Sequence, residues 1–520
     1  AKEYFRNLEQ HLCPMTFASP SARGALEIAF GKDVPKRKAW MLETANPPPC
    51  DYAGNRPLPF DTFCNTSLAA YSQSSLSRGI PSAIDGFCEA TRKLLYGLRS
   101  LGVTSSERVS QLVGKLIGAS AYHHGDASLT ETLVRMAQDY VGGMNVALLV
   151  PDGQFGSRID EKKKHASARY IATLMNPVVN AIFRPEDDAL LVHNTDDGKR
   201  VEPTFFLPTT CYCLFNETAG ICTGWSTTIP AYNPRDVIRM TMALINGQDP
   251  TEGAALKPWY RGYTGHMEDA GGGKWAMHST MTRTEKGTVR VTELPPGRWT
   301  DPTIEALQGR LKKMTDGSQT NTHVTNRGTD RMVDLEFRDP LPGTGLDELE
   351  RKLGLVEVLS TSNMHLFDTD GNLKRYSTAE EIVCDFVGFR MPFYEKRRSH
   401  IIREVGEKRD SLSNRAVVIA AIADGRLPLS MDGKPRAECD IVTDATALLG
   451  STSSEPSAGA DWVMDIRLKQ QTKEEVRRLD AKIAQLTGEL MRLQNTTAKQ
   501  MWLGDLDDLL NALDVYERAL

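Results

Sequence analysis

The apolar positions of the chain change period as it runs. In LTETLVRMAQDYV, Leu129, Leu133, Met136 and Tyr140 recur three or four residues apart, which predicts one buried helix face from Leu129 to Val141. Ser128 and Glu131 form a capping-box pattern at its start: the hydroxyl can accept from the third helical N–H, and the glutamate can reach back. Gly142 and Gly143 read as its stop. RYIATLM then alternates Tyr170, Ala172 and Leu174 against Ile171, Thr173 and Met175, a period of two that predicts a short strand starting at Tyr170. Asn176-Pro177 follows as a cap and first turn for NPVVNAIF.

Further along, glycines and prolines punctuate short strands such as GTVRVTELPPGRW. GGGK after Asp269-Ala270 reads as a turn, because no GxxxxGK[ST] pattern surrounds it. The C-terminal third becomes helical. Val476, Leu479, Ile483, Leu486, Leu490 and Leu493 follow at steps of 3, 4, 3, 4 and 3, an unbroken heptad seam that needs a partner helix. EEIVCDFVGFRMPFYEKRRSHIIREV is the upstream candidate, giving a long antiparallel arm, with STSSEPSAGAD as a mobile loop between them. A last helix from Leu503 to Leu520 puts Leu506, Leu509, Leu510 and Leu513 on one side, to close the arm or meet a second chain. The first 60 residues are broken by Pro47–Pro49, Pro57 and Pro59 and read as a linker.

Composition sets the scale. A chain of 520 residues with 40% apolar content suits three or four α+β domains. No apolar run approaches the roughly 18 residues that a membrane-spanning helix needs. The opening AKEYFRNLEQHLCPM has neither an initiator Met nor a signal peptide's apolar stretch, which reads as a processed chain or a piece of a longer one. Nine cysteines without a CxxC pair disfavour a zinc module and a disulfide framework, and suit a reducing, intracellular compartment. The net charge of −5 names no partner. Locally, though, Arg158, Lys162, Lys163, Lys164 and Arg169 face only Asp160 and Glu161, an excess that suits a polyanion. From the residues alone, Tyr170 beside Arg169 fits a packing aromatic or a nucleophile with a guanidinium partner.

Five stretches narrow the choice: LSRGIPSAIDGFCEATRKLLYGLR (76–99), AYHHGD (121–126), PDGQFGSRIDEKKKHASARY (151–170), VEPTFFLP (201–208) and GICTGWSTTIP (220–230). Together they resemble the DNA-gate region of type IIA DNA topoisomerases, in the single-chain form of eukaryotes and large viruses. The opening EYFRNLEQH…KRKAW resembles the connector leaving that family's metal-binding TOPRIM domain. SNMHLFDTDGNLKRYS (362–377) and AKQMWLGDLDDLLNAL (498–513) resemble the entrance and exit of its coiled-coil arm.

The resemblance implies an α+β multidomain fold. Residues 1–60 would be the connector from TOPRIM and 61–210 a winged-helix domain holding the catalytic tyrosine and the 129–141 helix. An α/β tower would follow over 211–352, and a long antiparallel coiled-coil arm with a helical, dimerising C-gate over 353–520. It implies a reaction as well: a tyrosine oxygen attacks a DNA phosphodiester, takes the 5′ phosphate and frees a 3′ hydroxyl. Two chains each cut one strand, a second duplex passes, and the break is resealed. Tyr170 matches the nucleophile. A phenol with a pKa of about 10 needs a base or cation nearby. Arg169 matches the partner holding the phosphate. Arg78 and His124 match further positions around it, with His123 as a fourth, and either histidine could carry a proton. Ile221 matches a residue that wedges between base pairs and bends the DNA. Arg92, Lys93, Lys162, Lys163, Lys164 and Gln154 are expected to contact DNA, the cations mainly through phosphates.

The chain departs from the pattern at Cys88, where a lysine is expected, at Cys222, where a glycine is expected, and at Glu161-Lys162-Lys163. The family's metal and ATP sites fall outside these residues, so the resemblance implies Mg²⁺ and ATP only for a longer protein, and no metal ligands here. Expected partners are double-stranded DNA and a second copy of the chain, with no membrane. The nucleus is the expected compartment, with a mitochondrion or kinetoplast, or the cytoplasm of a virus-infected cell, as alternatives. The competing reading is a non-catalytic, chromosome-structural DNA-binding protein on the same scaffold.

Overall fold

A computed structural model describes the chain except residues 1–4, 7, 9–11, 18, 45, 51–56, 161–163, 250–254, 315–321, 432–433, 451–459, 467–471 and 520. It forms two compact units, one of residues 1–390 with 505–520 and one of residues 391–504. Among the described residues no helix is long and apolar enough to cross a membrane.

The first unit carries a helical layer built from Ala69–Gly79 (α1), Glu89–Leu101 (α2), Val109–Ser120 (α3) and Asp126–Arg135 (α4). The apolar stripe of α2, Leu94, Leu95 and Leu98, is fully buried, as are Leu112 and Leu116 of α3. Gly97 lets these helices close up: a Cβ there would come 2.6 Å from Leu116 Cδ2. Gly102 ends α2 in the left-handed conformation, with its N–H returned to Arg99 O and Leu98 O. Beside the helices lies a three-stranded antiparallel sheet. Ala172–Met175 (β2) is its centre, flanked by Glu107–Arg108 and by Leu149–Asp152 (β1). Helices α2, α3 and α4 with this small antiparallel wing are the architecture expected of a winged-helix unit.

Two local predictions shift. The capping box at Ser128 does not form, because α4 starts earlier, behind the extended Gly125, whose carbonyl accepts from Ser128 N. The helix also ends early, at Arg135. Leu149 N takes the carbonyl of Met136, and the buried Gln138 amide donates to Phe155 O, so the chain leaves the helical path. Leu129, Leu133, Met136 and Tyr140 are nonetheless all buried. Likewise β2 begins at Ala172, and Tyr170 sits in the turn before it.

Arg92 and Lys93 are corrected from the expectation of phosphate contact. The helical period turns both toward the interior. Arg92 forms a two-point pair with the fully buried Asp85, at 2.8 and 3.0 Å. Lys93 Nζ lies 2.8 Å from Glu202 and 3.1 Å from Ser120 O, and is only 6% exposed. Arg158, counted in the basic patch, is buried too and donates to Glu293 and to Leu294 O. Glu202 and Glu293 come from distant segments, so their pairs bolt the layers together.

Residues 267–360 add two antiparallel sheets. Met267–Gly271, Lys274–Met277 and Glu357–Ser360 form one. The other runs in the order Thr280–Arg283, Thr288–Glu293, Leu335–Arg338, Val324–Asn326. Leu307 and Leu311 of one helix and Leu349 and Leu353 of another seal its core of Val289, Val291, Leu335 and Phe337. The expected GGGK turn is present, with Gly271, Gly272 and Gly273 all at positive φ.

The second unit contains most of Ala379–Ala423 (α5), then Glu438–Gly450 (α6) and Lys473–Asn495 (α7). The heptad seam is real: every seam residue of α7 is buried or half-buried. Val476, Leu479 and Ile483 pack with Leu412, Ala416 and Ile419 of α5, downstream of the stretch expected to partner them. At the other end Arg398 donates to Gln494 O and Thr496 O, so α5 and α7 run antiparallel. Residues 451–459 of the expected loop lie outside the described residues. In the last helix, Ala498–Arg518 (α8), Leu506, Leu509 and Leu513 are buried within the chain. From Asp505 on this helix belongs to the first unit, and within that unit Arg184 lies between Asp505 and Asp508, and Arg235 between Asp514 and Glu517.

Ile419→Ala should destabilise the helical arm by about 2–5 kcal/mol, read by denaturant unfolding. Lys93→Ala strands Glu202 and should cost about 3–5 kcal/mol. DNA affinity measured on the folded fraction should stay within twofold of wild type; a DNA contact would behave the opposite way.

Candidate active site and nucleic-acid interface

The backbone around Tyr170 is held from both sides. The first N–H groups of a helix lack partners inside it. At α3 those of Val109 and Ser110 are taken by Ile171 O and Ala168 O, at 3.0 and 3.1 Å. Tyr170 N closes the turn onto Ser167 O at 2.8 Å. Upstream, Ala166 N is shared between the main-chain and side-chain oxygens of Gln154, at 3.0 and 2.9 Å. Gln154, expected to touch DNA, thus anchors the loop that leads to the tyrosine.

Side chains at this clamped turn face outward. Tyr170 is 71% exposed, and its hydroxyl makes no hydrogen bond among the described residues. A packing role is therefore ruled out by burial. Arg169 is exposed, with its guanidinium carbon 4.8 Å from the Tyr170 ring centroid, in cation–π range. Lys164 is exposed and pairs with Asp160 at 2.7 Å, while Lys162 and Lys163 lie outside the described residues.

A second group forms at the end of α1. Arg78 is exposed in the last turn, its Nε donating to Ser74 O. The histidine pair follows α3 through Ala121, a non-glycine residue at φ 47°. This left-handed cap turns the chain so that Tyr122 points in and both histidines point out. His124 stands edge-on to the Tyr122 ring at 5.4 Å. His123 Nε2 lies 2.7 Å from Asp196 Oδ2. Arg78, His124 and Ile221 line one open cleft; Arg169 and Tyr170 do not line it, and His123 turns aside toward Asp196.

Ile221 ends Thr218–Ile221 (β3), which pairs with Ser226–Ile229 (β4) in a two-stranded hairpin. It is 92% exposed, which excludes the core role open to it from sequence. Leaving an isoleucine in water forgoes about 1.5–3 kcal/mol of burial. The hairpin docks against α1 through glycines. A Cβ on Gly220 would strike the carbonyl of Gly79, and one on Gly79 would strike Cys222 Sγ, so these positions bring Ile221 beside Arg78.

Sequence reasoning missed Asp196. A hairpin was legible there, since Asp197-Gly198 is a two-residue turn signal and both residues have positive φ. Its pairing with His123, 73 positions away, carried no local mark. Among the described residues no group of three or more His, Cys, Asp or Glu stands where it could hold a metal ion.

Comparison with known proteins completes the picture. The family model for the A-type subunit of DNA gyrase/topoisomerase IV matches residues 78–507. DNA topoisomerase 2 of Arabidopsis thaliana is 32% identical over 99% of this chain and 37% of its own length. That of Candida albicans is 30% identical over 99% of the chain and 39% of its own length. The chain thus spans under two fifths of these relatives. A crystal structure of the Plasmodium falciparum topoisomerase II DNA-binding, cleavage and re-ligation domain superposes with a TM-score of 0.85 at 28% identity, covering the whole of this chain and 73% of that one. Family model, relatives and fold agree: the chain belongs to the type II DNA topoisomerases, in the breakage-reunion family typified by DNA gyrase and topoisomerase IV.

Proposed function

We propose that Tyr170 is the nucleophile that breaks and rejoins DNA. Its oxygen attacks a backbone phosphorus, the bond to the 3′ oxygen breaks, and the tyrosyl proton is lost as the 3′ hydroxyl gains one. The product is a 5′-phosphotyrosyl ester. The ester conserves the energy of the broken bond, so rejoining is the same step reversed. Arg169 supplies positive charge where the phosphate gains negative charge. Arg78 and His124 serve the same phosphate from the neighbouring cleft, and His123, held by Asp196, stands beside them.

The observation that carries the reading is an exposed tyrosine and arginine on a backbone clamped by α3. A nucleophile needs fixed position and free access together. Ile221 acts as the wedge, unstacking a base step so that bent DNA meets more protein. Lys162, Lys163 and Lys164 supply phosphate contacts, and Gln154 holds their loop. The working unit is a pair of chains, each cutting one strand, and passage of a second duplex would change supercoiling and unlink DNA. Segments 1–60, 61–210, 211–352 and 353–520 serve as connector, winged helix, tower, and arm with C-gate. Mg²⁺ and ATP would be held by residues of a longer protein.

Denaturant trapping on plasmid DNA, with the full-length protein and Mg²⁺, tests the nucleophile. Wild type should yield a protein–DNA adduct and Tyr170→Phe none, at unchanged DNA affinity; equal adduct from both would overturn the assignment. Ile221→Ser should keep folding stability within about 0.5 kcal/mol, as exposed positions do. It should also reduce DNA bending, read by energy transfer between the ends of a labelled duplex. Unchanged bending would remove the wedge role.

A further inference from the structure

The hairpin that bears Ile221 has a cavity behind it. Its walls come from α1 at Arg78 and Gly79, from α2 at Ala90 and Thr91, and from β3 at Ala219 and Gly220. Its floor is largely apolar, with Phe87, Met136, Leu148 and Tyr212. Cys213 reaches this floor, and two residues earlier stands Cys211. Their sulfurs lie 3.4 Å apart, unbonded, in the short helical turn around Tyr212. Cys211 is fully buried and Cys213 4% exposed.

We propose that Cys211 and Cys213 form a chelating site for monosubstituted trivalent arsenicals, entered through this cavity. Two thiols bonded to one arsenic stand about as far apart as these sulfurs already do. No backbone movement is needed to bring them together, and the organic group of the arsenical has an apolar cavity to occupy. The reaction balances without an oxidant. A phenylarsenic(III) oxide and two thiols give one phenylarsenic dithiolate and one water. Two As–S bonds form, the As–O bonds break, and both thiol protons leave on the oxygen. Arsenic stays trivalent.

Burial distinguishes this chemistry from ordinary cysteine reactivity. It holds the Cys211 thiol well above its usual pKa, with the neighbouring Cys213 adding to the effect. Alkylating agents and peroxides need the thiolate. The pair should therefore resist iodoacetamide in the native protein and still take the arsenical, whose oxygen accepts the protons. Cys88 lines the same cavity, and burial pushes its thiol up to about 12. Cys222 is near enough to act on it electrostatically, so the Cys88→Ala variant below separates that neighbourhood from the Cys211–Cys213 pair.

The test treats the native full chain with phenylarsine oxide, washes with glutathione, and reads intact mass and total thiols after denaturation. One phenylarsenic per chain should survive the wash, with two thiols lost, and ethanedithiol should strip it. Cys88→Ala should retain it, whereas Cys211→Ala and Cys213→Ala should each retain none. Because either substitution in the core can impair folding, peptide mapping of the wild-type adduct supplies a second readout. The arsenic should join Cys211 to Cys213. A wild type that retains nothing, or an adduct mapped to other cysteines, overturns the site.

Discussion

Everything proposed for this chain depends on how α3 begins. A helix must hand its first N–H groups to something. Here they go to the carbonyls of Ala168 and Ile171, on either side of Arg169-Tyr170. The helix fixes the backbone of the turn without touching its side chains. Below it, Ile171 and Thr173 are buried and hold the start of β2 to the core. Above it, Arg169 and Tyr170 stand in solvent. The same bonds that finish a helix thus present a reactive pair on a rigid support.

The cations of this unit divide by burial. Arg92, Lys93 and Arg158 are spent inside, on Asp85, Glu202 and Glu293. Arg390 is fully buried against Asp187. Breaking such pairs is expensive because a lone buried charge remains. They hold helices, wing and sheets in one frame. Arg78, Lys164 and Arg169 are among the exposed ones, and they lie at the cleft, on the basic loop and beside the tyrosine. The buried charges serve architecture, and the exposed ones at the cleft and beside the tyrosine are those proposed to meet DNA. The wedge follows the same logic in reverse, an apolar residue kept in water by a hairpin seated on two glycines.

Much of this was legible beforehand. Periodicity alone found the buried face of Leu129, Leu133, Met136 and Tyr140, and the heptad seam of α7. Motif resemblance singled out Tyr170, Arg169 and Ile221, and the structure leaves all three exposed. What stayed hidden was long-range. Nothing in RK at 92–93 says that Glu202 waits on the inner face, and nothing near Met136 says that Leu149 will claim its carbonyl. The seam showed that a partner existed but not its register, which residues 412–419 supply. The cysteine pair was visible as C-x-C, yet only packing put its sulfurs side by side against a cavity.

The most direct measurement is the identity of the atom that joins protein to DNA. Cleaved complex from the full-length protein would be digested with nuclease and protease, and the nucleotide-bearing peptide sequenced by mass spectrometry. A single linkage is expected, a 5′-phosphate ester on the oxygen of Tyr170. A nucleotide on any other residue, or a linkage to a 3′ phosphate, would contradict the assignment of Tyr170 as nucleophile.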